Sequence, residues 1–199
     1  AMAKPLLFLG LILMGVLKIQ AQDSFPTVFP VSSLGKFPRH PDFQSDQFQG
    51  KWYTIAWAQN FEYVEKSRKI ILLSTIYKLN HDHSYSVTTE WLSKPQCDYK
   101  TITIFPINHS GLFNMTTLPA YAGLYNFTLK VLETDYNEYA FVIRRVDILN
   151  SIYFQHILYG RIKELSPELK QHYRIVTRSL GLTDDDIIFA DPSGKQHPE

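Results

Sequence analysis

The chain has 199 residues, of which 45% are hydrophobic and 14% are aromatic, and its net charge is only +1. Such a balance gives no basic surface for nucleic acid or for anionic lipid, so neither partner is expected. The size suits a single domain with its own hydrophobic core.

The first 21 residues predict a secretory signal peptide. Lys4 precedes the apolar run Leu6–Leu17, and the small residue Ala21 follows it. A positive start, a short apolar core and a small residue at the cut are typical of export signals, and the run is short for a membrane-spanning helix. We expect cleavage after Ala21, a secreted and extracellular protein, and no membrane span.

The rest of the chain divides into three predicted segments. Residues 22–47 are rich in proline, phenylalanine and serine and predict an extended N-terminal arm. Residues 48–190 predict one barrel domain with a helix, and residues 191–199 a flexible tail.

Short runs of alternating apolar and polar residues fill the chain from residue 48 to residue 160. Phe127, Leu129 and Val131 share one face of such a run, and Thr128 and Lys130 share the other. The predicted strands are 51–59, 70–79, 84–92, 97–105, 111–117, 123–133, 138–147 and 152–160. We therefore expect an all-β fold, an eight-stranded antiparallel up-and-down β-barrel whose interior can hold one small ligand.

One helix is predicted after the strands. Ser166 is a suitable N-cap, Pro167 suits the first helical position, and Gly181 is a natural stop. Between them, apolar residues recur at helical spacing, which predicts a C-terminal α-helix of about four turns against the barrel. Residues 187–189 predict a last short strand.

Three motifs, in this order, resemble the signature regions of the lipocalin family. The segment 48–53 (FQGKWY) contains G-x-W, Thr134-Asp135-Tyr136 lies between two predicted strands, and 158–161 (LYGR) ends in an arginine before the helix. The resemblance covers residues 42–190 and implies the lipocalin calyx. It extends to siderophore-binding and epididymal members of the family.

The signature residues have structural roles that their chemistry also supports. Gly50 allows a close approach of backbone, and the large indole of Trp52 can fill the narrow end of a barrel. Arg161 would lie over that ring in a cation–π contact and donate to nearby carbonyls. We expect these residues to close the barrel and not to contact the ligand.

Ligand contacts are expected from inward positions of the strands. The same positions serve equally well for plain core packing, since the sequence does not separate a filled lower half from a hollow upper half. The candidates are Leu73, Thr75, Lys100, Ile102, Phe127, Leu129, Val146, Tyr153, Gln155 and Tyr159.

The lipocalin resemblance also shows a departure. Siderophore-binding members carry three cations in the mouth of the barrel, and the matching positions here are Ile102, Val146 and Gln155. A trianion would lose its water shell there without a countercharge, so this ligand class is disfavoured. Lys100 and Arg144 are the remaining candidates for inward cations, and either could neutralise one carboxylate or stay solvated at the rim.

Enzymatic and metal sites find little support in the sequence. Cys97 is the single cysteine, so it is either an inert free thiol or an intermolecular partner. The family's isomerases use a cysteine inside the cavity, whereas Cys97 matches the family's structural cysteine, whose usual partner is missing. His81 and His83 lie in the polar turn Asn80–Ser84 and are explained by that turn, so no metal, cofactor or catalytic residue is expected.

Three sequons, at Asn108, Asn114 and Asn126, fit N-glycosylation of an exported chain. The leading functional hypothesis is a non-enzymatic carrier of a retinoid or fatty-acid-like molecule. The alternatives are a glycoprotein that acts through a receptor or a disulfide-linked dimer, and a siderophore-binding protein of innate immunity.

Overall fold

A computed structural model describes residues 42–60, 71–93, 96–107, 110–115, 125–148 and 151–191. The predicted signal peptide, nearly all of the predicted arm and tail, and Asn108 lie outside these residues. No helix in the described part of the chain is long and apolar enough to cross a membrane.

Nine strands, two α-helices and one 3-10 helix make up the described chain. In chain order they are α1 (Ser45–Phe48), β1 (Gly50–Gln59), β2 (Ile71–Leu79), β3 (Tyr85–Ser93), β4 (Gln96–Pro106), β5 (Leu112–Asn114), β6 (Tyr125–Thr134), β7 (Tyr139–Ile148), β8 (Ser151–Gly160), α2 (Pro167–Ser179), a 3-10 helix (Asp184–Asp186) and β9 (Ile187–Phe189).

Strands β1 to β8 close into an antiparallel barrel. Each strand pairs with the next along the chain, and β1 pairs with both β2 and β8. The first half of β1 bonds to β2, and β9 joins β1 along Ala56–Ala58. Because β1 pairs with β8, neither the first nor the last strand of the barrel is left as an open edge, and open edges are where sheets associate edge to edge. The predicted eight-stranded barrel with its C-terminal helix is confirmed.

Two predicted segments differ from the structure. The sequence predicts an extended arm up to residue 47, but Ser45–Phe48 forms one helical turn, which is too short to show a 3.6-residue period. The predicted strand 111–117 is regular only over Leu112–Asn114. The Met115 amide still donates to the Phe127 carbonyl at 3.2 Å, and residues 116–117 lie outside the described residues.

The strand alternation produces two separate apolar layers. Inward side chains, among them Trp52, Tyr77 and Phe113, fill the barrel interior. Outward side chains such as Phe141 and Leu158 pack beneath α2. The helix packs against the outside of one wall, so the barrel interior is lined by the inward-facing side chains.

Helix α2 begins where its sequence predicts. The Ser166 hydroxyl accepts a hydrogen bond from the Leu169 amide at 3.2 Å, and Pro167 occupies the first turn, where its missing N–H costs nothing. Tyr173 and Thr177 are the buried residues of its inner face.

Candidate functional site

The closed end of the barrel is filled by Trp52. Its indole is fully buried, and its Nε1 donates to the Phe48 carbonyl at 2.8 Å. The ring centroid lies 5.3 Å from that of Phe48 and 6.4 Å from that of Tyr159. The helical turn α1 thus delivers a second aromatic ring against the first, and together they form the floor.

Arg161 holds this floor from beneath. Its guanidinium carbon lies 3.6 Å from the centroid of the Trp52 ring, so the expected cation–π contact is present. The guanidinium also donates to the carbonyls of Gln47, Lys51 and Tyr136 at 2.9, 3.0 and 2.9 Å. These bonds join the segment before β1 to the turn between β6 and β7.

That turn is built by the Thr134-Asp135-Tyr136 motif. The Asp135 carboxylate accepts hydrogen bonds from the amides of Asn137, Glu138 and Tyr139 at 3.2, 2.8 and 3.0 Å. Tyr136 adopts a left-handed backbone with φ of 66°, which turns its carbonyl toward Arg161. The motif therefore positions an acceptor for the arginine.

Gly50 completes the closed end. Its φ of +101° is in the region that favours glycine, and an added Cβ would lie 3.2 Å from the Arg161 Nη1 atom. The predicted close approach is therefore to the arginine side chain.

Aromatic rings continue upward from the floor. Tyr77, Tyr85 and Phe113 are almost fully buried, and the Tyr77 ring lies 6.2 Å from that of Tyr159. Burial raises the pKa of Tyr77 well above its usual value, so its hydroxyl stays protonated and acts as a hydrogen-bond donor at neutral pH. The lower half of the barrel is a packed core.

A polar cluster lies directly above these rings. The Arg144 Nη2 atom donates to the Tyr159 hydroxyl at 2.6 Å and to the Thr75 hydroxyl at 3.4 Å. Tyr159 in turn donates to Thr75 at 3.2 Å and accepts from Tyr77 at 3.4 Å. A guanidinium and three hydroxyls thus meet inside an otherwise apolar barrel.

The predicted ligand-contact residues all lie on the inward alternation of their strands, but at different depths. Thr75, Phe127, Leu129 and Tyr159 are buried, and the last three belong to the interior core. The partly buried members of the set are Leu73, Ile102, Val146, Tyr153 and Gln155. Lys100 is exposed.

The three positions that the family resemblance matches to a cationic triad, Ile102, Val146 and Gln155, lie toward the open end. Ile102 and Val146 pack against the interior core, and Gln155 donates to the Gln59 side chain at 3.4 Å. None of the three side chains is charged, so this part of the interior has no cationic triad.

Arg144 and Tyr77 are the members of the polar cluster that the predicted contact set omits. The alternation that places Val146 inward also places Arg144 inward, two residues earlier on β7. The two-residue spacing is the sequence signal that places Arg144 inward. It does not predict the distances from Arg144 to Thr75 and Tyr159, because these depend on how far the strands tilt and stagger around the barrel.

Other predicted features lie outside the barrel interior. Cys97 is exposed, and Asn114 is exposed at the end of β5, while the side chain of Asn126 lies outside the described residues. His81 and His83 are exposed in the turn between β2 and β3. Among the described residues, no group of three or more metal-ligating side chains comes together.

Comparison with known proteins agrees with this architecture. The model of the "Lipocalin / cytosolic fatty-acid binding protein family" matches residues 49–194. The neutrophil gelatinase-associated lipocalin of Mus musculus is 41% identical over 194 residues, which cover 96% of this chain and 97% of the relative. Its Homo sapiens counterpart is 40% identical over 187 residues, 94% of each chain.

A more distant relative carries the name of an enzyme. The prostaglandin-H2 D-isomerase of Equus caballus is 28% identical over 203 residues, which cover 97% of this chain and 96% of the relative. The family match spans the barrel and its helix, and it includes Trp52 of the floor and Arg161, which braces it. The chain belongs to the lipocalin family.

Proposed function

We propose that this protein is a secreted, non-enzymatic carrier that holds one small hydrophobic molecule of retinoid or fatty-acid type inside its barrel. The proposal is supported by a difference between the lower and upper halves of the barrel interior. Aromatic rings close the lower half, whereas inward side chains of the upper half, such as Ile102, Val146 and Tyr153, keep part of their surface exposed.

The driving force would be removal of apolar surface from water, about 25 cal/mol per Å² before ordering costs. Ile102, Val146 and Tyr153 would supply that surface, because their side chains are partly exposed. Phe127 and Val146 are direct partners across β6 and β7, so together they form one apolar side of the upper interior.

Truncation of Phe127 tests this role. We expect Phe127→Ala to weaken binding of a fluorescent fatty acid by about tenfold, because a buried phenyl ring no longer contacts the chain of the ligand. Fluorescence titration measures the dissociation constant. Phe105→Ala is the matched control, since Phe105 lies on β4 with an exposed side chain, and it should leave the affinity unchanged. Equal effects of the two substitutions would contradict an interior site.

The absence of enzyme activity is part of the proposal. The relative named prostaglandin-H2 D-isomerase raises the question of a thiol reaction inside the barrel. The chain has a single cysteine, Cys97, and it is exposed on β4 opposite Leu92. A thiol reaction would have no nucleophile in the interior.

Two alternatives have direct tests. Siderophore capture predicts a coloured iron complex after expression in bacteria, and the uncharged Ile102, Val146 and Gln155 lead us to expect colourless protein. A glycoprotein that acts through a receptor or a Cys97-linked dimer is favoured by the exposure of Cys97 and Asn114. A species of twice the monomer mass on a non-reducing gel would support that dimer.

A further inference from the structure

The Arg144 cluster has a feature that the proposed function does not explain. Arg144 is an inward-facing cation on β7, between the buried Val142 and the partly buried Val146. The strands on either side place Leu129 and Gln155 beside it. The nearest inward-facing residues on its own strand and on both neighbouring strands are therefore neutral.

The partners of Arg144 are all neutral hydroxyls. Its hydrogen bonds to Tyr159 and Thr75 both leave from Nη2. Among the described residues, no carboxylate pairs with Arg144, and its guanidinium also interacts with the Tyr77 hydroxyl. A guanidinium has five N–H groups, so these hydroxyls leave some of them for a ligand.

Arg145, the next residue, shows what Arg144 lacks. Arg145 points outward and forms a two-bond contact with the Asp147 carboxylate at 2.6 and 3.0 Å. Among the described residues, Arg144 has no such countercharge. Its need for one is greater than that of Arg145, because a charge is more costly to hold in a low-dielectric interior than at the surface.

The hydroxyls keep the cation in place without neutralising it. Burial acts to lower the pKa of Arg144, but its interactions with Tyr159 and Tyr77 outweigh burial and the net shift is upward. Arg144 therefore carries a full positive charge at neutral pH.

We propose that Arg144, braced by Tyr159 and Thr75, is the receptor for a single carboxylate, and that an amphipathic acid binds with its head group deep in the barrel and its tail toward the mouth. This assignment rests on the proposed carrier function and specifies the chemical class and the orientation of the ligand. The carboxylate accepts from the remaining N–H groups of the guanidinium, as paired charge-assisted bonds allow.

The orientation follows from what lies on either side of the cluster. Toward the closed end, Tyr77, Tyr159 and Trp52 are fully buried and leave the ligand no further depth. Toward the mouth, Val146 and Phe127 offer apolar surface for a tail. Lys100 lies on the inward alternation of β4 at the mouth, and its side chain is exposed. A carboxylate bound there would stay in water, so its electrostatic attraction to the lysine would be weaker.

Paired ligands test the assignment. Dodecanoic acid and dodecan-1-ol share a tail and differ in head group, and isothermal titration calorimetry at pH 7.5 gives both affinities. We expect the wild-type protein to prefer the acid by about tenfold or more, and Arg144→Gln to remove that preference while the affinity for the alcohol changes by less than about threefold. Lys100→Gln and Arg145→Gln are matched controls that should keep the preference.

The outcomes separate this inference from the function on which it rests. If wild-type protein binds neither probe, the carrier function fails. If it binds both equally, or if Lys100→Gln and not Arg144→Gln removes the preference, the carrier stands and the Arg144 receptor is overturned. Acetate, which lacks a tail, should bind at least about 100-fold more weakly than dodecanoate. Equal affinity would show a site for free anions and refute the proposed orientation.

A spectroscopic titration tests the contact without any variant. Carbon-13 NMR of dodecanoate labelled at its carboxyl carbon reports the pKa of the bound head group. A neighbouring guanidinium favours the ionised carboxylate and lowers that pKa. We expect a bound pKa below that of free dodecanoate, and a smaller shift in Arg144→Gln if that variant folds. An unshifted or raised pKa in wild-type protein would overturn the proposal.

Discussion

Arg161 shows how much of a closed barrel end can depend on one side chain. It contacts the Trp52 ring and donates to carbonyls on both sides of the floor, including Gln47 and Tyr136. Gln47 and Tyr136 lie outside the strands, so the arginine supplies their carbonyls with hydrogen bonds that would otherwise come from water.

Replacement of Arg161 should therefore reduce stability. We expect Arg161→Met, which keeps much of the bulk, to lower the free energy of unfolding in urea by about 2–4 kcal/mol, because it removes several charge-assisted bonds and a cation–π contact. Lys163→Met is the control: Lys163 is exposed, with its Nζ 5.7 Å from the Tyr53 ring, and the change should stay within about 0.5 kcal/mol. Equal losses in the two variants would show that the contacts of Arg161 are not stabilising.

The chemistry of the floor residues can largely be predicted from the sequence, whereas that of the proposed ligand site can be predicted only in part. The pairing of Trp52 with Arg161 follows from one ring, one cation and the family resemblance. Arg144 also follows as an inward residue from its alternation with Val146. Its neighbour Thr75 is 69 residues away in the chain, and nothing local in the sequence brings the two together.

At the scale of elements, helix α2 is attached to the barrel by a buried polar contact. The ring of His156, an outward residue of β8, stacks on Tyr173 with centroids 4.6 Å apart. Its Nδ1 lies 2.9 Å from the Thr177 hydroxyl. That hydroxyl donates to the Tyr173 carbonyl, so Nδ1 of His156 must carry the proton and donate. Its Nε2 is buried and has no hydrogen-bond partner among the residues that the structure describes.

This contact predicts a pH dependence of stability. Burial lowers the pKa of His156 to about 3. The unfolded chain binds a proton at this residue near pH 6.5, whereas the folded protein does not, so stability is lost as the pH falls from about 6.5 toward 3. We expect wild-type protein to lose about 2–3 kcal/mol more than His156→Phe between pH 6.5 and pH 4.5 in urea unfolding.

Both proteins retain every other titratable group, so the difference isolates His156. The control is His81→Asn, in the exposed turn, which should follow the wild-type profile. Parallel pH profiles for wild type and His156→Phe would contradict the assignment of a buried neutral imidazole.

The elements themselves differ in how well sequence predicts them. The sequence predicts the long strands and α2 to within one or two residues of their observed ends, because each carries a hydrophobic period over nine or more residues. Helix α1 has four residues and β5 has three, and neither length shows a period. Their formation depends on tertiary contacts, such as the burial of Phe48 beside Trp52.

For the whole molecule, charge and ring layers alternate along the axis of the barrel. Arg161 lies under the Trp52 ring, the tyrosines lie above it, and Arg144 lies above them. One arginine is satisfied by backbone carbonyls and serves the fold. The other is held by hydroxyls and, on our account, serves the ligand.

The most direct test of this account is a crystal structure with 12-bromododecanoic acid, in which the anomalous signal of bromine marks the end of the tail. We predict one bromine inside the mouth near Val146 and Ile102, with the carboxylate on Arg144. An interior filled by the protein's own side chains, with bromine only on the outer surface, would contradict the carrier function. Bromine beside Arg144 would instead contradict the orientation.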